Sequence, residues 1–171
     1  MADNEEVNGG NSNLGSGFFG VLRDWVTNKI PQIKPLTPYN VYSHYVPLAG
    51  SLSYSIFSVT VFIPEISTRL FPRRSIAVAN SLLLNSHLGS GLYLYTRHHL
   101  AEASTYYRTM YSVYGALLFN FGSVLLWAVT KTLLPENVVV RTAFAVSTSL
   151  CMLTIGKEYL DYVDSKVESS N

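Results

Sequence analysis

The sequence predicts an all-α, polytopic membrane protein: a bundle of four transmembrane helices preceded by an amphipathic interfacial helix. Three observations predict it. First, 48% of the residues are hydrophobic and only 13% are charged, against about 25% charged in a soluble domain. Second, the apolar residues lie in long blocks. Third, Ser75 to Thr96 contains no Lys, Arg, Asp or Glu over the roughly 20 residues a helix needs to cross a bilayer. This last block carries polar groups on two faces. Ser81, Asn85 and Gly89 share one; Asn80, His87 and Gly91 share a roughly opposite one. A helix with lipid on one side does not need that, so the pattern predicts a central helix with protein neighbours on two sides.

The elements follow in order. Residues 1–17 are acidic and rich in Gly, Asn and Ser, the composition of a disordered tail. They have neither the apolar core of a secretory signal nor the arginines of a mitochondrial presequence. Residues 18–30 predict an amphipathic helix, with Phe18, Val21, Leu22 and Trp25 on one face and Arg23, Asp24, Thr27 and Asn28 on the other. Phe18, Phe19 and Trp25 suit the membrane interface; docking on a soluble partner is the competing reading. Pro31 ends the helix. Residues 31–45, with Pro31, Pro35, Pro38 and Tyr39, Tyr42, Tyr45, read as an extended linker into a tyrosine-rich interface.

The membrane domain is expected over residues 46–156. Its first span, Val46 to Ile63, stops at Pro64 and places Ser51, Ser55 and Ser58 on one face. A tight loop with Arg69, Arg73 and Arg74 leads into the second span, Ser75 to Thr96. The third, Met110 to Leu133, has an apolar face (Val113, Leu117, Phe121, Leu125) and a small or polar one (Gly115, Ala116, Asn120, Gly122, Ser123). The fourth, Val138 to Gly156, has a small-residue face at Ala143, Ser147 and Cys151, and Arg141 snorkels from its start to the headgroups. The charged tail from Lys157 is expected to be helical, then to fray. With four spans, Tyr39, Tyr42, Tyr45, Tyr93, Tyr95, Tyr106, Tyr107, Tyr111, Tyr159 and Tyr162 share one membrane side, which suggests protein contacts there as well as anchoring. Lys and Arg divide too evenly to fix orientation; cytosolic termini are the expectation.

The net charge of +1 gives no reason to expect a nucleic-acid partner. The lone Cys151 is neutral on redox compartment. No nucleophile elbow, phosphate loop or Cys/His box occurs. His87 is the one ionisable group deep in a span, and no Asp or Glu at its depth completes a proton relay. His98 and His99 lie near Glu102 but lack metal-ligand spacing. The sequence therefore implies no cofactor, no metal and no enzyme. The echo of Asn85 and Gly89 in Asn120 and Gly122 reflects small residues reused in helix packing. The expected function is a non-enzymatic subunit or assembly factor of a membrane complex, with the bilayer and other membrane proteins, or a second copy, as partners. A small oligomeric transporter or channel through His87, Asn85 and Asn120 is the alternative, and a membrane-shaping role for the amphipathic helix is a third. The endoplasmic reticulum is the expected location, a mitochondrial membrane the alternative.

Overall fold

The computed structural model describes residues 35–169. The amphipathic helix expected over residues 18–30, with Phe18, Phe19 and Trp25, lies outside the described residues, as does the tail before it. Among the described residues every regular element is helical. Helix α1, Pro38–Phe62, is followed by the short α2, Pro64–Leu70, then α3, Ser75–Tyr95, α4, Thr105–Leu133, and α5, Val138–Glu168. A single 3-10 turn, His98–Leu100, lies between α3 and α4.

Local sequence explains the boundaries. Thr37 caps α1 through its hydroxyl, and Pro38 follows where a missing N–H costs nothing. Pro47 has no N–H for the Ser43 carbonyl. The turn before it, Val41–Tyr45, is π-helical, and Val46 N–H donates to Val41 O. The tyrosine-rich stretch from Pro38 is therefore helical rather than an extended linker. Pro64 drives Ile63 out of helical geometry, to φ −134° and ψ 76°, which ends α1. Asn137 caps α5, its Oδ1 accepting from Val139 N at 2.9 Å and Val140 N at 3.3 Å. The loop expected around Arg69 contains α2, and α5 continues past Gly156 to Glu168 without fraying.

Helices α1, α4 and α5 are long and apolar enough to cross a membrane, the property of a membrane-embedded protein. The uncharged α3 has the length, at 21 residues, but its asparagines, serines and His87 leave it less apolar than the other three. Nor is α3 the hub. It packs on α1 and α4, whereas α1 packs on α3, α5 and α4, and α4 and α5 touch only lightly. Only Ser86 and Gly89 of α3 are buried, against seven residues of the Val46–Phe62 part of α1. The apolar core is built around α1: Tyr54, Phe57, Phe62 and Ile63 bury against Trp127 of α4 and Ala145 of α5.

The α1–α3 contact is backbone on backbone. A Cβ added to Gly50 would lie 2.6 Å from Gly89 Cα, and one added to Gly89 the same distance from Gly50 Cα. No real side chain tolerates that, so the two helices would have to part. Gly89→Leu is expected to lower thermal stability in detergent by about 1–3 kcal/mol, the usual cost of overpacking. Gly122→Ala is the contrast: its new methyl meets nothing within 4 Å, so the gain in helix propensity, up to about 1 kcal/mol, should raise the melting point. Equal melting points for the two variants would contradict this packing.

Candidate functional site

The candidate site is the set of polar side chains carried at mid-helix, where lipid offers no hydrogen bonds. Asn120 on α4 is 1% exposed. Its Oδ1 accepts from Ser86 Oγ at 2.5 Å, and its Nδ2 donates to Ser90 Oγ at 2.9 Å and to Ala116 O at 2.8 Å. The carboxamide thus has both donors and an acceptor engaged, and it ties α4 to α3. Asn85 faces the other way. Its Nδ2 donates to Ser53 Oγ on α1 at 2.7 Å and, at 3.5 Å, to Ala49 O. The two asparagines do not pair with each other; Asn85 secures α3 to α1 and Asn120 secures α4 to α3.

The remaining ties radiate from α1. Tyr54 donates to Ser123 Oγ at 2.7 Å, and Ser123 donates to Phe119 O at 2.6 Å. The Tyr54 ring lies 4.8 Å from that of Trp127 and 5.1 Å from that of Phe119. Ser58 Oγ reaches the Ala145 carbonyl on α5 at 3.1 Å. Ser53 and Tyr54 are contacts the sequence reading missed. A serine and a tyrosine one residue apart point to different helix faces, and neither completes the Ser51, Ser55, Ser58 pattern that drew attention. Ser51 and Ser55 bond their own backbone, to Pro47 O and Ser51 O.

His87 is half-buried. A carbonyl only accepts, so its Nδ1 carries a proton and donates to Leu83 O at 2.8 Å. The ring packs 5.0 Å from Phe121. Its Nε2, like Trp127 Nε1, is buried without a hydrogen-bond partner among the described residues. Asn80 is exposed rather than packed beside His87. Ser81 is also exposed, its hydroxyl donating to Ala77 O at 2.8 Å. Gly91 faces Ala116, whose Cβ would lie 3.7 Å from a Cβ added there.

Two predicted faces are corrected. Gly122 is exposed while Ser112, Ala116, Asn120 and Ser123 are buried. One residue separates Gly122 from Ser123, a rotation of about 100°. On α5, Ala143, Ser147 and Cys151 are exposed, and Ala145 and Ser149 are buried. That shift of two residues turns the face by about 200°. Both helices offered two small-residue stripes, and periodicity alone does not choose between them. Arg141 turns back past the start of α5: its Nε donates to Pro135 O at 3.0 Å, and its Nη2 to Leu134 O at 3.4 Å. Carbonyls at a helix C-terminus lack partners and attract such donors.

A second polar cluster closes one end of the structure. Arg97 pairs with Asp161 and lies 3.4 Å from Asp164; His99 bonds Asp164 through its ring, at 2.6 Å, and its backbone N–H, at 2.9 Å. Lys157 pairs with Asp161 one turn along α5. The Arg97 and Arg108 guanidiniums lie over the Tyr93 and Tyr95 rings, 4.5 and 4.4 Å from their centroids. The sequence reading had set His99 beside His98 and Glu102 and treated the aspartates as tail. Among the described residues no group of three or more His, Cys, Asp or Glu is arranged to hold a metal ion. Partial burial pushes the Asp164 carboxyl up, but the two bonds from His99 and the Arg97 charge outweigh it, leaving Asp164 below the usual carboxylate range. Burial likewise raises Asp161, and bonds from Lys157 and Arg97 bring it lower.

Compared with protein-family models, with curated proteins and with solved structures, the chain matches none of them.

Two outcomes are expected. Asn120→Leu should destabilise more than Asn85→Leu, because its two interhelical bonds are both short and lie in a sealed site, whereas one of the two from Asn85 is 3.5 Å long and its site is partly open. Such bonds average about 0.6 kcal/mol and reach about 1.7, and a thermal melt of both variants in one detergent checks the order. The pH effect has a definite sign. Both carboxyls are lowered in the fold, so the unfolded chain binds more protons near its own value of about 3.9. Their contribution is complete above that value and is lost as pH falls through the lowered folded values. Asp164→Asn should therefore melt below wild type at pH ~6, with the gap closing as pH drops below ~4.

Proposed function

We propose that the chain crosses the bilayer four times, with α3 as the least apolar span, and serves as a non-enzymatic subunit or assembly factor of a membrane complex. The four-span reading is supported at both ends. Arg97 and His99 meet Asp161 and Asp164, so the chain leaving α3 and the end of α5 share one end. Glu65, Ile66 and Arg69 line a charged hollow with Glu136, Val138 and Arg141, so the other two connections share the opposite end. Alternating helices of this kind suit successive crossings.

The observation that carries the complex-subunit reading is Asn80. It is exposed on α3, and its carboxamide makes no hydrogen bond to the described residues. It lies six residues inside Arg74, about 9 Å along the helix, where lipid satisfies a carboxamide poorly. A polar side chain in that position suits a neighbouring membrane protein. The transporter reading is favoured only by His87 Nε2, which is buried without a partner. Against it, Asn120 is buried and engaged by Ser86 and Ser90, and Asn85 is engaged by Ser53 on the other side of α3, so the two do not line one path. The proposed location is the endoplasmic reticulum, with a mitochondrial membrane as the alternative.

Native purification in mild detergent tests this. A subunit should co-purify with defined proteins in fixed stoichiometry, and Asn80→Leu should weaken that association while the monomer's melting point holds. His87→Leu should leave assembly intact and cost little stability. Normal assembly of His87→Leu with lost or pH-altered solute flux would favour the transporter. Recovery of the chain alone from every mild detergent would end the subunit reading.

A further inference from the structure

Beside Arg74 an open groove of about 550 Å³ runs between α1 and α3, lined by Ser53, Ala77, Val78, Ser81, Leu82 and Asn85. Its volume is within the range of about 300–1,000 Å³ typical of small-molecule sites. From Arg74 to Asn85 it follows α3 for about 16 Å at 1.5 Å per residue, close to one leaflet's share, about 15 Å, of a 30 Å hydrocarbon core. Along its walls the Ser81 hydroxyl and the Asn85 amide N–H already have a polar partner: the hydroxyl donates to Ala77 O, and the amide to Ser53 Oγ. The mouth asks for one. Arg74 is exposed, and among the described residues no carboxylate pairs with it or with the nearby Arg69 and Arg73.

The geometry points to a binding site for one anionic phospholipid, its phosphate on Arg74 and one acyl chain along Ala77, Val78 and Leu82. Charge complementarity selects this occupant. Arg offers a phosphate a planar fork of donors, and the leaflet-length groove offers a chain apolar contact along Ala77, Val78 and Leu82. A second copy fits less well. Parallel copies meeting through this face would bring Arg74 against its own counterpart. The inference is independent of the complex-subunit reading, but it rests on α3 being a membrane span.

The test uses the purified full-length chain in dodecyl maltoside. Native mass spectrometry counts the palmitoyl-oleoyl phosphatidylglycerol or phosphatidylcholine retained. One phosphatidylglycerol per chain should be held in preference. Arg74→Gln should cut that preference about fivefold, the effect of one arginine near an anionic surface. Ala77→Trp should fill the groove and abolish retention, while Ile76→Trp, at the same depth but outside the groove, should change nothing. Inorganic phosphate should not displace the lipid. Equal retention of the two lipids, indifference to Arg74→Gln and Ala77→Trp, displacement by inorganic phosphate, or a dimer that closes the groove would each overturn the proposal. Single cysteines at Arg73 and Ala101, with Cys151 replaced by Ser, separate the two failures. Labelling from opposite membrane sides with no selective lipid sinks the lipid site alone; labelling from the same side sinks the span and the site together.

Discussion

Helices in a bilayer gain little from burying leucine against leucine, because lipid tails are equally apolar. What holds them together is close backbone approach and a few polar contacts. Here the approach is made at Gly50 and Gly89, where neither residue has a side chain to keep α1 and α3 apart. With the backbones that close, the short Ser53 hydroxyl comes within 2.7 Å of the Asn85 amide three to four residues away from the crossing. A bulkier residue at either glycine would open the crossing and lengthen that bond. One and two helix turns past Gly50, α1 presents Tyr54 to α4 and Ser58 to α5. The position of α1 therefore sets the contacts that α3, α4 and α5 each make with it, while α3 and α4 are joined directly through Asn120.

The polar residues divide into two kinds. Serine and threonine can satisfy themselves by returning a proton to a carbonyl three or four residues back. Ser51, Ser55, Ser81, Thr130, Thr132 and Thr148 all do so, and they are as tolerable facing lipid as facing protein. Asparagine, tyrosine and histidine have more to satisfy. Asn85, Asn120 and Tyr54 find partners on other helices, and His87 finds half of what it needs. A serine-rich helix is thus weak evidence of burial, whereas an asparagine is strong evidence that something must meet it.

That division explains what was legible in the sequence. Length and apolarity marked α1, α4 and α5, and Pro64 and Asn137 marked boundaries. Asn85, Gly89 and Asn120 were recognised as packing residues because their chemistry leaves few other roles. The lipid-facing side of α4, with Val113, Leu117, Phe121 and Leu125 exposed, was legible for the same reason. The choice of stripe was not. Gly122 and Ser147 look like packing residues, but Ser123 and Ser149 beside them look the same, and only the neighbouring helix decides. The centre was misjudged because α3 displays its polar groups conspicuously, while the contacts of α1 are made by a glycine, two serines and a tyrosine scattered around it. Long-range pairing hid the Asp161 and Asp164 cluster: nothing local links residue 97 to a tail more than sixty positions later.

The length of α5 has one more consequence. At 31 residues it is about 46 Å long, well beyond a hydrocarbon core of about 30 Å. Its last turns, from Lys157 to Glu168, carry charged residues and extend the helix beyond its apolar part. Because Arg97 and His99 are fastened to Asp161 and Asp164 there, the connection between α3 and α4 is tied to the end of α5. A displacement of that end of α5 would therefore reach the α3–α4 connection first, through Arg97 and His99, and the end of α3 only through that connection.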